Sequence, residues 1–85
     1  LLDVRTAAEY AAGHLPGSIH IPLGRLPQRL AELPRRASTL VYCQGGSRSP
    51  IAASILQAHG WGDIMEMRDG YDGWQAAAAE PALVG

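Results

Sequence analysis

The stretch Thr39-Leu40-Val41-Tyr42-Cys43-Gln44-Gly45-Gly46-Ser47-Arg48-Ser49-Pro50 constrains the fold of this chain more than any other. It opens as a short β-branched and aromatic run, the pattern of a buried strand. It closes with Ser49 and Pro50 ahead of Ile51-Ala52-Ala53-Ser54-Ile55-Leu56, a helix start with proline at the first helical position. Between the two, Gly45 and Gly46 permit a tight loop whose backbone N–H groups turn inward. A strand that runs through such a loop into a helix belongs to an alternating α/β chain.

The remaining segments repeat that alternation. Residues 1–4 read as a strand. Thr6-Ala7-Ala8-Glu9 has the spacing of a capping box, which predicts a short helix over 7–12. Gly13-His14-Leu15-Pro16-Gly17-Ser18 is a loop by its glycine and proline content. Ile19-His20-Ile21 is a brief strand closed by Pro22. Leu23, Leu26, Leu30 and Leu33 recur at helical spacing, predicting an amphipathic helix over 26–33 that Pro34 ends. A strand over 39–43 and a helix over 49–59, stopped at Gly60, follow. A strand over 64–67 and a last helix over 74–79 complete the series. Strands and helices in this order predict an α/β domain with a mainly parallel sheet. Ligands of such sheets bind beyond the carboxyl ends of the strands, where Cys43 falls.

Composition narrows the possible functions. At 85 residues the chain is one small domain, and 47% apolar content allows a packed core. Phenylalanine is absent, so the core is expected from Leu, Ile, Val and Ala around Trp61, Trp74 and the tyrosines. The net charge of −1 gives no field for nucleic acid or an anionic membrane, so any anion must be bound locally. A single cysteine excludes an internal disulfide scaffold and a cysteine-rich zinc site. No pair among His14, His20, His59 and Cys43 has zinc-site spacing, and neither metal nor cofactor is expected. With one cysteine, a reducing cytoplasm is the expected location; no apolar run approaches membrane-spanning length and no signal peptide is visible. The chain opens directly on Leu1-Leu2-Asp3-Val4 without a methionine. The domain over 1–85 is therefore expected to be incomplete at its N-terminus and part of a longer protein.

Cys43 carries the chemistry. A cysteine at a strand end is often only a small buried hydrophobe. Here a glycine loop, a helix N-terminus and Arg48 follow it, and all three favour a thiolate. Cys43 and Arg48 are the candidate catalytic residues. The backbone amides of Gln44, Gly45, Gly46, Ser47 and Ser49 are the candidate cradle for sulfur and substrate.

Four blocks make the chain resemble a single rhodanese, or sulfurtransferase, domain. They are Asp3-Val4-Arg5 with Glu9-Tyr10; Gly13-His14-Leu15-Pro16-Gly17-Ser18 with Ile21-Pro22; Val41-Tyr42-Cys43 with the glycine loop and Arg48-Ser49; and Gly70-Tyr71-Asp72-Gly73-Trp74. They span almost the whole chain in the family's order. The resemblance implies helices on both faces of the sheet and a Cys43 that attacks the outer sulfur of a donor. The donor would be thiosulfate or a persulfide, and a thiol or cyanide would then take the sulfur from Cys43. It also implies a bound persulfide stabilised by the same cradle, with Arg48 holding the donor's anionic group. Two departures stand out. A strand and helix that usually precede the Asp-Val-Arg block are missing, and Asp69 occupies a place usually held by glycine. An acid there would weaken binding of an anionic donor.

Spacing separates this chemistry from its nearest competitor. Four residues lie between Cys43 and Arg48, whereas cysteine phosphatases use five to wrap a tetrahedral phosphate. A one-residue change in such a loop shifts the reacting atoms enough to spoil alignment. A second reading makes the chain a sulfur-relay or regulatory module. Rhodanese-like domains often follow a persulfide dioxygenase of metallo-β-lactamase type. The segment from Ile21-Pro22-Leu23-Gly24 to Leu33-Pro34 is similar to those fusions, so a fused or separate protein would hand sulfur to Cys43. An inactive binding domain is a third reading, opposed by the intact Cys43 and Arg48.

The other polar residues read as structural. His14 is expected to fix its loop through backbone hydrogen bonds rather than shuttle protons. His20 and His59 fit a strand and a helix end. Arg5 and Glu9, four apart, are expected to pair with each other, the alternative being that Arg5, at a strand end, faces the pocket. Asp3 is expected to anchor loop amides, Trp74 to anchor the last helix in the core, and Met65 and Met67 to line a half-buried strand.

Overall fold

A computed structural model of the chain describes residues 1–34 and 38–78. Its strands are β1 (Leu2–Asp3), β2 (Ile19–His20), β3 (Thr39–Tyr42) and β4 (Ile64–Glu66). Its α-helices are α1 (Ala7–Ala12), α2 (Ser49–Ala58) and α3 (Gly70–Ala78). The strands form one sheet in the order β2-β1-β3-β4, and every pairing is parallel. Leu2 lies opposite Ile19 on one side and Val41 on the other, so β1 sits at the centre beside β3.

Side chains on β3 alternate between two cores, as a pleated strand buried on both faces must. Val41 and Cys43 join Leu2, Ile21, Leu26 and Leu56 in the larger cluster, which takes in α2. Tyr42 joins Leu15 and Tyr71 in a smaller cluster, which takes in α3. Both faces of the sheet are therefore covered. Leu56, fully buried, contributes on the order of 1.5–3 kcal/mol through its apolar area.

Local chemistry explains most element boundaries. At α1 the Thr6 hydroxyl accepts from the Glu9 N–H at 3.2 Å and the Glu9 carboxylate accepts from the Thr6 N–H at 2.9 Å, completing the capping box. The α2 helix ends at Ala58, and Gly60 takes the left-handed conformation (φ +94°) just past it. The strands are one or two residues shorter than predicted.

Four expectations do not hold. The helix predicted over 26–33 is two 3-10 turns, Leu23–Gln28 and Leu30–Glu32. Pro27 has no N–H to donate, so the i→i−4 bond of an α-helix cannot form there, while Arg29 at φ −116° separates the turns. The leucines still reach the core, because residues three apart line up on a 3-10 turn: Leu26 and Leu33 are buried. Next, α3 begins at Gly70, four residues ahead of its predicted start, and Gly73 N–H closes its first turn on Asp69 O at 3.1 Å. Its predicted end at residue 79 lies outside the described residues. Finally, Trp74 is 39% exposed and stacks on Tyr71, which takes the core position instead. Met65 likewise faces solvent on the edge strand β4, and only Met67 is half-buried.

Candidate active site

Cys43 follows the last residue of β3, and residues 44–48 turn the chain into α2. No side chain caps α2 at Arg48, which leaves its first amides free to serve the sulfur. The N–H of Gly46 donates to Cys43 Sγ at 3.1 Å and the N–H of Arg48 at 3.3 Å. Ser49 Oγ lies 3.9 Å from Sγ on the buried side. Cys43 itself is fully buried, whereas Gly45 and Ser47 of the loop are exposed.

Burial pushes the Cys43 thiol up. The backbone N–H groups of Arg48, Ser49 and Gly46, with the Ser49 hydroxyl, outweigh it and hold the pKa below the ordinary thiol value. Donors arranged in this way stabilise a negative sulfur without any metal. Among the described residues, no group of three or more His, Cys, Asp or Glu is placed to hold a metal ion.

Two glycines make the close packing of the loop possible. Gly46 has φ +99°, and a Cβ there would lie 2.0 Å from the Arg68 carbonyl oxygen. Gly70 has φ +61°, and a Cβ there would lie 2.4 Å from Cys43 O and 2.7 Å from Gln44 O. Across this gap, Tyr71 N–H donates to Cys43 O at 2.8 Å and Asp72 N–H to Gln44 O at 3.0 Å. The N-terminus of α3 thus pins the start of the loop through its amides.

The expected pairing of Arg5 with Glu9 does not occur. Arg5, 1% exposed, donates to Asp3 Oδ2 at 2.7 Å, to Gly13 O at 2.7 Å and to Gln44 Oε1 at 2.9 Å. Its guanidinium lies over the Tyr71 ring, 4.4 Å from the centroid. Five donors in a fixed plane let one side chain tie β1, the loop after α1, the cysteine loop and α3 together. Asp3 therefore anchors Arg5, accepting its backbone N–H as well at 2.9 Å.

Glu9 turns instead to Arg48. Arg48 Nη1 and Nη2 donate to the two Glu9 carboxylate oxygens at 2.7 and 2.9 Å. The Arg48 guanidinium, with the Thr6 groups, holds the Glu9 carboxyl down at about 2. Gln44 bridges Arg5 and Asp72, accepting from the first and donating its amide to the second. The Asp72 carboxylate thus meets the loop. Sequence reading missed the roles of Glu9 and Tyr71, although both stand in the blocks that carry the resemblance.

The histidines are structural here. His14 Nδ1 bonds Tyr10 O at 3.0 Å, and His20 Nε2 bonds Arg5 O at 2.8 Å. Their rings stack on the two sides of Tyr10. A groove of about 300 Å³ lined by Leu30, Ala31, Leu33, His59 and Trp61 shares no residue with the cysteine loop.

The chain belongs to the rhodanese-like domain family, whose match covers residues 1–77. It is 35% identical to a sulfurtransferase of Allochromatium vinosum over 74 residues, 87% of this chain and 69% of that protein. It is 39% identical to the HTH-type transcriptional regulator Rv0324 of Mycobacterium tuberculosis over 79 residues, 91% of this chain but 34% of the regulator. The crystal structure of reduced Bacillus anthracis CoADR-RHD superposes with a TM-score of 0.85 at 33% identity, covering 93% of this chain and 14% of that one. The chain thus spans about a third of the regulator's length and a seventh of that solved chain. Family membership and the sulfurtransferase relative support a role in sulfur transfer. No helix among the described residues is long and apolar enough to cross a membrane.

Proposed function

We propose that the domain is a sulfurtransferase that carries sulfane sulfur on Cys43. The observation that carries this reading is the convergence of the Gly46 and Arg48 N–H groups on Cys43 Sγ. In the first half-reaction the Cys43 thiolate attacks the outer sulfur of the donor. A sulfur–sulfur bond forms at Cys43, the donor's own bond breaks, and its electron pair leaves with sulfite from thiosulfate or with a thiolate from a persulfide. The N–H groups that held the thiolate then hold the anionic persulfide. In the second half-reaction a thiol or cyanide attacks the outer sulfur and Cys43 leaves as thiolate.

Gly46, Arg48 and Ser49 supply the cradle; Gln44, Gly45 and Ser47 shape the loop that borders the donor. Cys43 is buried, and Gly45 and Ser47 are the exposed residues of its loop, so the donor approaches from their side. Parallel double-reciprocal plots for donor and acceptor, with turnover lost in Cys43→Ser, are the expected result. Turnover that survives Cys43→Ser contradicts the reading.

A second reading makes the domain a sulfur-relay or regulatory module of a larger protein. It is favoured by the small share of the regulator and of the solved chain that the domain spans. The sequence of the complete gene tests it: a second domain supports it, and an isolated short chain contradicts it.

A further inference from the structure

Both guanidinium groups whose contacts reach the cysteine loop are already engaged by carboxylates. Arg5 is buried on Asp3, and Arg48 is clamped at 2.7 and 2.9 Å on Glu9. Asp72 adds a third carboxylate, held on the Gln44 amide and 3.9 Å from where a Gly45 Cβ would stand. Positive charge and negative charge therefore balance at Arg5 and Arg48, and Asp72 tips the surroundings of the loop towards negative. With its carboxyl held at about 2 by the Arg48 guanidinium, Glu9 is ionised at neutral pH. Arg68, on the segment before α3, is exposed. It meets Gly46 through its carbonyl oxygen.

We propose that Glu9 sets donor preference: by neutralising Arg48, it selects singly charged alkyl persulfides over the doubly charged thiosulfate. The inference rests on the sulfurtransferase reading and narrows its donor class. A dianion entering this site finds backbone N–H groups but no unpaired guanidinium on the loop, and it finds the Asp72 carboxylate close by. A persulfide RSS⁻ carries one charge on the sulfur pair itself, next to the N–H groups that hold Sγ. Transfer from the persulfide anion balances as Cys43–S⁻ plus RS–S⁻ giving Cys43–S–S⁻ plus RS⁻, with two negative charges on each side. Transfer from thiosulfate gives a Cys43 persulfide anion and sulfite, with three negative charges on each side.

Glu9→Gln is the suited probe, because glutamine also completes a capping box and α1 keeps its start. Specificity constants for thiosulfate and for 2-hydroxyethyl persulfide are measured on wild type and variant, with folding checked by thermal melting. The wild type is expected to favour the persulfide. The ratio of thiosulfate to persulfide kcat/KM is expected to rise about fivefold in Glu9→Gln, the scale of one part-exposed ion pair, and to rise less at high salt. Asp72→Asn is expected to move the ratio the same way and serves if Glu9→Gln does not fold. An unchanged or lowered ratio in the folded variants overturns the inference while the sulfurtransferase reading stands. Both rates falling together assign Glu9 a purely positioning role and also overturn it. A wild-type preference for thiosulfate that Arg68→Ala removes overturns it as well. No sulfur on Cys43 from either donor removes the underlying reading, a result distinct from all of these.

Discussion

Tyr71 donates its backbone N–H to the carbonyl oxygen of Cys43 at 2.8 Å, so the first turn of α3 holds the residue that bears the thiol. This contact exists because Gly70 lets two backbones meet where any Cβ would stand 2.4 Å from Cys43 O. Gly70→Ala is expected to force the segments apart and to strain a left-handed residue, costing on the order of 1–3 kcal/mol or more. Displacement of the loop by about 1 Å is expected to lower turnover by about two orders of magnitude. Chemical denaturation and donor kinetics read the two effects, and a variant equal to wild type in both contradicts the role given to α3.

Arg48 serves the site twice, through its backbone N–H at 3.3 Å from Sγ and through a guanidinium spent on Glu9. Arg48→Ala keeps the first and loses the second. The ion pair is only partly exposed, so stability is expected to fall by about 1 kcal/mol or less. Turnover is expected to fall at least tenfold, because the loop loses its tie to α1 and a positive charge that interacts with Cys43. Turnover at the wild-type level removes the Arg48 side chain from the site.

Acid stability follows from the depressed carboxylates. Glu9 falls from an ordinary 4.5 to about 2 in the folded chain, held by Arg48. A group with a lowered folded pKa stabilises the fold above its unfolded pKa and loses that contribution as pH falls through the folded one. Burial pushes Asp3 up, but its bonds from Arg5 win and leave it below its usual value, so it acts in the same direction. Melting temperature is expected to drop between about pH 4.5 and pH 2, and less steeply in Glu9→Gln. An identical acid profile in that variant contradicts the assignment of the Glu9–Arg48 pair.

The rate of Cys43 alkylation against pH is expected to have its midpoint below about 8.5, the value of a free cysteine. The cause is local: three backbone N–H groups and the Ser49 hydroxyl outweigh burial. A midpoint at or above the free value contradicts the cradle.

Much of this arrangement is legible in the sequence because it is written locally. The Thr6–Glu9 capping box, the Gly45-Gly46 loop and the Ser49-Pro50 helix start each declare themselves within a few residues, and the parallel sheet follows from their order. The turns around Pro27 are not legible in the sequence, because leucines three apart fit a 3-10 turn as well as an α-helix. The partners of Arg5 and Glu9 are hidden for a different reason. Spacing of four suggests a local pair, but Arg5 reaches Gln44 and Glu9 reaches Arg48, each 39 residues away. Such contacts are set by how parallel strands bring their carboxyl ends together, which no short window of sequence contains.

The central claim is that Cys43 accepts and holds sulfur, and the mass of the intact protein after exposure to thiosulfate or an alkyl persulfide tests it most directly. The account predicts a gain of one sulfur atom, located on Cys43 by peptide mapping, absent in Cys43→Ser, and lost again on adding cyanide. A mass that no sulfane donor changes would contradict it.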